Sequence, residues 1–315
     1  MGHCSAPARP RRRIAWDGGR RACYIRPVSS PPRAALLTIP AMLGFAANSL
    51  LCRAALGPHL VGPAAFTALR LAAGALVLAL LVALRRGTRP RGGSWASAAA
   101  LFAYAAAFSL AYVRIPAGVG ALLLFLAVQA SMLAWAIRRG ERPTGRQWVG
   151  IAVALVGFFV MTAPGARSPD TVGAVLMVAA GVAWGIYSLR GRSGADPLAT
   201  TADNFVRSVP MGAVFALAPI DPALTSAGAT LAVTSGAVAS GLGYALWYAA
   251  LPALGMTRAA VVQLSVPVLA AAGAAAFLHE RLAPRIVLAG GAILIGVALA
   301  TLRPSAFVRR RGTER

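Results

Sequence analysis

Two arginines inside long apolar runs are the residues of this chain with the clearest chemical potential. Arg70 lies about nine residues into the run 61–84, and Arg207 lies at a similar depth in the run 199–219, in the matching contexts Leu69-Arg70 and Val206-Arg207. Nine residues of helix span about 14 Å, which is mid-bilayer depth, where a guanidinium costs at least about 2.5–3.5 kcal/mol. Such a group survives by facing a water-filled cavity or a partner. Two readings compete. In one, the arginines form an anion- or carboxylate-attracting pair beside a transport path. In the other, each caps carbonyls of a neighbouring helix or pairs internally; Asp203, one turn before Arg207, favours this for Arg207.

Other polar groups fall at similar depths. Pro267, read as lying inside the run 256–278, would remove the hydrogen bond to the carbonyl of Gln263. The Gln263 side chain and Ser265 add polarity there, and irregular backbone at membrane depth is tolerated where it lines a cavity. A simple kink is the alternative. Pro210 would free the carbonyl of Val206 in the same way. Gln129, near the middle of the fourth run, either bonds another helix or meets solute. Asn48 reads as interhelical glue. The aromatic residues repeat: Tyr104-Ala105 with Phe108 resembles Tyr244-Ala245 with Tyr248, and Trp184, Tyr187 and Trp247 stand in neighbouring runs. Tyrosine and tryptophan give a broad apolar face with one polar tip, suited to an amphipathic organic solute. Each alone also serves as ordinary helix contact or interfacial anchor. The cavity candidates are therefore Arg70, Tyr104, Gln129, Trp184, Arg207, Tyr244, Trp247, Gln263, Ser265 and Pro267.

Several kinds of chemistry are missing. The chain has three histidines and eight carboxylates, with no pairing that suits acid–base or metal work, so no enzyme activity and no metal or cofactor is expected. Cys4, Cys23 and Cys52 lack metal or redox spacing. Glu141-Arg142 and Glu280-Arg281 fall at run ends and read as fixing hairpins. Asp203 is the one acid read at depth, so proton coupling receives no support, and facilitated diffusion or exchange fits equally well.

The elements that position these groups are membrane spans. Of 315 residues, 58% are hydrophobic and 12% charged, and mean hydropathy is +0.69, which excludes an ordinary soluble surface. Ten apolar runs are placed at 34–52, 61–84, 94–113, 116–137, 147–164, 171–189, 199–219, 226–251, 256–278 and 285–302. Glu141, Arg142, Arg146, Leu155, Gly157 and Thr162 recur 139 positions later as Glu280, Arg281, Arg285, Leu294, Gly296 and Thr301; Ser49, Leu50 and Arg53 recur as Ser188, Leu189 and Arg192. Each copy holds five runs, an odd number, so the second must be inverted relative to the first, an arrangement typical of alternating-access transporters. The expected fold is an all-α polytopic membrane protein of ten transmembrane helices in two inverted five-helix repeats, residues 34–164 and 171–302. Gly181 and Gly185 form a GxxxG packing face.

The net charge of +23 comes from arginine alone among the basic residues. With the N-terminus inside, arginines favour the inner side by about five to one, as the positive-inside rule requires. Both termini are therefore expected to be cytoplasmic: residues 1–33 as a disordered arginine-rich arm, residues 303–315 as a basic tail. The arm has neither a signal-peptide core nor a myristoylation site, since Ala6 stands where Ser or Thr is needed. A misassigned start codon is the other reading of the arm. Nucleic-acid binding would need a soluble domain, and short connections leave no room for one.

These features resemble the drug/metabolite transporter superfamily, EamA type. The likeness rests on ten short-loop helices, the duplicated five-helix unit, Ala68-Leu69-Arg70 in the second helix, and the hairpins Gly140-Glu141-Arg142 and His279-Glu280-Arg281 followed by glycine-rich helices. The long arm departs from the short N-terminus usual there. The resemblance implies an inner-membrane carrier moving amino acids, small metabolites or toxic organic compounds, often outward. It implies a central cavity with helices four and nine against one, three, six and eight. The expected partners are a small-molecule substrate and membrane lipid; the sequence sets neither the substrate nor the oligomeric state. A flippase for lipid or polyprenyl-linked substrates is the alternative of similar architecture.

Overall fold

The computed structural model of the chain describes residues 31–85, 92–140, 144–162, 169–191, 196–218, 221–250 and 262–301. They form helices and connections: α1 (Pro31–Leu56), α2 (Pro63–Leu84), α3 (Trp95–Arg114), α4 (Ala117–Arg138), α5 (Gly145–Thr162), α6 (Thr171–Arg190), α7 (Pro197–Ala216), α8 (Ser226–Ala250), α9 (Ser265–Phe277) and α10 (Pro284–Thr301). Within α8, Ser235–Leu242 is wound as a π-helix. Short polar residues start the helices. Ser94, Asp170, Asp196 and Thr225 accept from backbone N–H groups of the first turns of α3, α6, α7 and α8, each such cap contributing about 1 kcal/mol.

Of the ten expected spans, six reach full spanning length among the described residues, long and apolar enough to cross a membrane: Leu36–Leu56, Pro63–Leu84, Trp95–Arg114, Ala117–Trp135, Thr171–Arg190 and Ser226–Ala250. Gly145–Val160, Ser265–Phe277 and Pro284–Leu299 are apolar but shorter. Helix α7 falls in neither set, because Asp203, Asn204 and Arg207 lower its hydropathy. The run placed at 256–278 begins among residues outside the described set; Val262 and Gln263 are helical, Leu264 is a turn, and α9 runs from Ser265. Pro267 is the third residue of α9 and follows the helical pair Val262–Gln263 closely. The arm 1–33 and the tail 303–315 lie almost wholly outside the described residues.

Exposure confirms an inside-out surface suited to lipid. Leu76, Leu80 and Leu84 repeat every four residues along α2 and are more than half exposed, as are Phe159, Leu288 and Ile295. Phe66, Phe108, Tyr112, Phe205 and Met177 fill the interior.

Counterpart helices of the two repeats meet each other. Helix α2 runs along α7 and α5 along α10, while the contacts α3–α6 and α4–α6 are mirrored by α8–α1 and α9–α1. The α5–α10 seam shows the symmetry atom by atom. A Cβ on Gly157 would meet Ala289 O at 2.8 Å and Ile293 N at 3.0 Å; one on Gly296 would meet Gly150 O and Ala154 N. Each position differs from its mate by the same 139 residues. Only a glycine lets the two backbones approach this closely. Gly181 and Gly185 act similarly, facing Ala127, Leu124 and Ser131 of α4.

The two ends of the bundle establish inversion. At one end, the α1–α2 connection meets the α7–α8 connection: Val61 bridges Leu224, Gly62 N donates to Ala223 O at 2.7 Å, and Thr225 N donates to Leu60 O at 2.9 Å. The repeat counterpart of the α1–α2 connection is the α6–α7 connection, and it sits at the other end. There Arg190 donates to Ser97 Oγ at 3.1 Å, while Gly93 N and Ser94 N donate to Asp203 and Asn204, both at 3.0 Å. Likewise Glu280 lies at the N-terminus of α4, accepting from Ala117 N at 2.9 Å. Gly140 follows the other end of that 22-residue helix, about 33 Å away.

Candidate functional site

A cavity of about 40 Å³ lies where the repeats meet, lined by Phe45, Asn48 and Ser49 of α1, Tyr104 and Phe108 of α3, Leu124 and Phe125 of α4, Trp184 of α6, Ala239, Ser240 and Tyr244 of α8, and Gln263 just before α9. These are the six helices that the resemblance names. Phe45 and Trp184, and Leu124 and Gln263, are repeat mates at the 139-residue offset. The aromatic wall follows the symmetry. Trp184 contacts Tyr104, with ring centroids 4.9 Å apart, and its mate Phe45 makes a similar contact with Tyr244 at 5.6 Å, although Tyr104 and Tyr244 are 140 residues apart. Trp184 also stacks on Tyr244 at 5.2 Å and 20°. Room for about three waters at 10–15 Å³ each is far less than a metabolite needs. A solute of that size fits only if the lining helices part.

Arg70 stands one layer behind this wall and is 2% exposed. Its Nε donates to Ser240 Oγ at 3.3 Å and its Nη2 to Tyr104 Oη at 3.1 Å. The guanidinium also lies 5.2 Å from the Tyr104 ring centroid and 5.0 Å from that of Phe108. Two charge-assisted hydrogen bonds, about 1.5–3 kcal/mol each, and the ring contacts offset the cost of holding the charge there. Nη1 has no partner, and no described carboxylate is paired with Arg70. Backbone proximity makes this possible. Gly236, on the π-helical stretch, lies against the Arg70 carbonyl so closely that a Cβ there would collide with it. The stretch thereby delivers Ser240 to the guanidinium. A π-turn inside a helix often marks a functional position.

The arrangement polarises hydroxyls toward the cavity. Tyr104 Oη accepts from Arg70 and also from Asn48 Nδ2 at 3.3 Å, while Asn48 Oδ1 accepts from Ser235 Oγ at 2.8 Å. An oxygen that already accepts two bonds has its own proton free to donate. Donation from a cation strengthens that O–H as a donor. Ser240, accepting from Arg70 Nε, is placed in the same way. The cavity therefore offers hydroxyl donors backed by a buried positive charge, which suits a carboxylate oxygen.

The candidates do not all meet here. Tyr104, Trp184, Tyr244 and Gln263 line the cavity, with Arg70 behind them. Trp247 packs against Phe45, centroids 6.0 Å apart, in the adjoining core. The Ser265 hydroxyl donates back to Val262 O at 2.7 Å. Gln129 lines a lateral groove between α4, α5 and α10, and Pro267 lines a second one between α4, α9 and α10. Arg207 is held by Asp203, with bonds of 3.0 and 3.3 Å, and sits over Trp95, far from Arg70 at an end of the bundle. Arg70 and Arg207 do not meet: Arg70 bonds Ser240 and Tyr104, whereas Arg207 is taken by Asp203 beside Trp95. Phe45, Ser49, Phe108 and Ser240 were not singled out as cavity lining; Phe45 had a signal, being the repeat mate of Trp184.

Among the described residues no carboxylate lines the cavity. Asp170 and Asp196 cap helices, Asp203 holds Arg207, and Asp221 faces His59 across the end loops, 2.8 Å from its Nδ1. Glu280 receives Arg53 Nε at 3.2 Å and the Ala117 N–H, while Arg53 Nη1 donates to the carbonyls of Tyr112 and Val113. This clasp joins the ends of α1, α3, α4 and the α9–α10 hairpin. It reaches well beyond the hairpin-fixing role expected of Glu280.

Two helical repeats packed around one shared cavity are the architecture of a class of membrane transporters. The chain belongs to the EamA-like transporter family, within the drug/metabolite transporter superfamily: residues 32–163 and 171–302 each match it. An uncharacterised protein of Pseudomonas aeruginosa is 53% identical over 269 residues, 85% of this chain and 94% of that protein. The threonine/homoserine exporter RhtA of Escherichia coli is 31% identical over 257 residues, 77% and 83% of the two chains. A "probable terminal-alkyne amino-acid exporter" of Streptantibioticus cattleyicolor is 29% identical over 258 residues, 77% and 85%. A crystal structure 21% identical in sequence shares the fold, with a TM-score of 0.60, covering 85% of this chain and 97% of that one.

Proposed function

We propose that this protein carries small organic metabolites bearing a carboxylate, amino acids or related compounds, across the inner membrane by alternating access, in efflux or exchange. The observation that carries the reading is Arg70: a buried guanidinium without a carboxylate partner, one nitrogen unbonded, turning Tyr104 and Ser240 into donors at the cavity wall. Trp184, Tyr244 and Gln263 supply the surface for the rest of the solute. Two relatives whose names give amino acids as cargo support the substrate class. Arginine counts favour both termini on the cytoplasmic side.

The test is counterflow in proteoliposomes, with labelled threonine and a panel of amino acids beside their carboxamides, with and without a pH gradient. Carboxylate solutes should exchange. Arg70→Ala should slow them at least tenfold while leaving any carboxamide flux unchanged. Equal losses for acid and amide would remove the electrostatic role. Movement of a reporter lipid with no solute flux would replace this reading with the flippase.

A further inference from the structure

Arg53 and Glu280 grip a corner that belongs to the opposite wall of the cavity. Helix α1 packs on α8 and α9, whereas α6 packs on α3 and α4. Arg53 ends α1 and Glu280 follows α9, so both stand on the first group. Their partners stand on the second. Arg53 Nη1 donates to the carbonyls of Tyr112 and Val113 at 2.8 and 3.2 Å, and Glu280 accepts the Ala117 N–H at 2.9 Å. Those carbonyls end α3 and that N–H begins α4, groups that a helix leaves without internal partners. Each charge meets the helix end of opposite polarity, and the 3.2 Å bond from Arg53 Nε to Glu280 closes the ring.

The grip lies directly beyond the cavity. Ser49 and Phe108 line the cavity; Arg53 and Tyr112 stand one turn further along α1 and α3. Ala117 precedes the lining residue Leu124 by seven residues, about 10 Å. All three steps lead to the end that holds the α1–α2 connection. Tyr112 fills the space between, fully buried, its ring 4.6 Å from Phe108 and its hydroxyl donating to Ala117 O at 3.3 Å.

The glutamate is held ready by its backbone. Glu280 N donates to Ala274 O at 3.1 Å after His279 turns the chain at φ +52°, a conformation unfavourable to any residue with a Cβ. The repeat mate of His279 is Gly140, at φ +89°. The second copy therefore keeps the turn with a side chain that opposes it. The ion pair is also not sealed in: the Arg53 and Glu280 side chains are 24% and 14% exposed. Water can take over their bonds when the two groups separate, which a fully buried pair resists.

We infer that Arg53 and Glu280 form the latch of the solute path at this end, the end that the arginine counts place outside. While both hold the α3–α4 corner the cavity is shut from that side, and it opens there when they let go. They are positioning residues, acting on α3 and α4 and not on solute. The inference rests on the alternating access proposed above, and not on the carboxylate solute.

The test uses full-length protein with Cys4 and Cys23 replaced by serine and Cys52 by alanine. Into it goes Ser49→Cys, on the cavity wall one turn inward of Arg53. A membrane-impermeant methanethiosulfonate is added to either face of sealed vesicles, and the rate of modification is followed by mass spectrometry. With the latch intact, reaction from the face bearing the α1–α2 connection should be slow. Glu280→Ala and Arg53→Ala should each speed it by about tenfold, the worth of a lost charge-assisted hydrogen bond. Glu280→Gln keeps one acceptor oxygen and should give about threefold. The rate from the opposite face should not rise with any of them. An unchanged rate in Glu280→Ala overturns the proposal. So does an equal rise from both faces, which means a loosened bundle and no latch. If Glu280→Ala does not fold, Glu280→Gln carries the test, and its rise must be confined to the α1–α2 face. The labelling needs no solute, so a failed amino-acid counterflow strikes the substrate reading alone.

Discussion

A guanidinium whose strongest partners are two hydroxyls can act on solute without touching it. Arg70 bonds Tyr104 and Ser240, and they meet the cavity. Tyr104→Phe keeps the ring and its contacts with Trp184 but removes the donor. One lost hydrogen bond at about 1–1.5 kcal/mol corresponds to a five- to tenfold rise in the transport KM for a carboxylate solute, with protein yield unchanged; an unaltered KM would remove Tyr104 from recognition. Asp221 offers a prediction at the bundle end. The hydrogen bonds from His59 and the Ala223 N–H favour its ionised form and hold it below the usual carboxylate range. Its stabilising effect is therefore complete above about pH 4, the ordinary carboxylate value, and is lost as pH falls through the lower folded value. Thermal scans should find Asp221→Asn slightly less stable than wild type at pH 7, with the gap closing near pH 3; a gap that widens in acid would reverse the sign. At this scale the sequence was half legible. Depth can be counted along a run, so Arg70, Tyr104 and Gln263 were found. Azimuth cannot, because a helix that is apolar all round has no stripe marking its inner face. Gln129 stands about 140° round α4 from Leu124 and so meets a lateral groove.

Helices carry the next set of constraints. The π-helical stretch of α8 and the clasp at Glu280 hold α1, α2, α3, α4 and α8 around the closed cavity. Gly236→Val should push α8 from α2, since any Cβ there meets the Arg70 carbonyl. A loss of more than about 3 kcal/mol, typical of overpacking plus broken hydrogen bonds, should appear as a large drop in folded yield by size exclusion. Normal yield would show that the two backbones can separate cheaply. Glu280→Ala leaves Arg53 its two carbonyls but deprives it and the Ala117 N–H of their shared acceptor. A partly buried charge-assisted pair contributes about 1–3 kcal/mol, so the melting temperature should fall by several degrees, and Glu280→Gln should recover part of it. No sequence pattern announced the π-turn. It coincides with the close approach of Gly236 to α2, a contact that local propensity does not encode. The hairpin glutamates were visible as a repeated motif, but their cross-bundle partners were not.

For the molecule as a whole, the 139-residue repeat carried most of the architecture in plain view. An odd number of runs per copy forces inversion, and the contacts at the two bundle ends agree. After Cys4 and Cys23 are replaced by serine, His59→Cys and Thr144→Cys should react with a membrane-impermeant maleimide from opposite sides of sealed vesicles; reaction from one side only would contradict the inverted bundle. Cys52 is buried and should stay silent. Helix α7, one of the ten expected spans, carries Asp203, Asn204 and Arg207 and is tied through them to the start of α3.

Symmetry of the backbone is not matched by symmetry of chemistry at the cavity: Phe45 answers Trp184, and Leu124 answers Gln263. A carrier with mirror-related moulds but unlike fillings must rest longer facing one compartment than the other. Its apparent affinities measured from the two sides will then differ. Without a second driving ligand, microscopic reversibility still requires the gradient to end level, so this asymmetry sets the tempo of traffic and not its final balance.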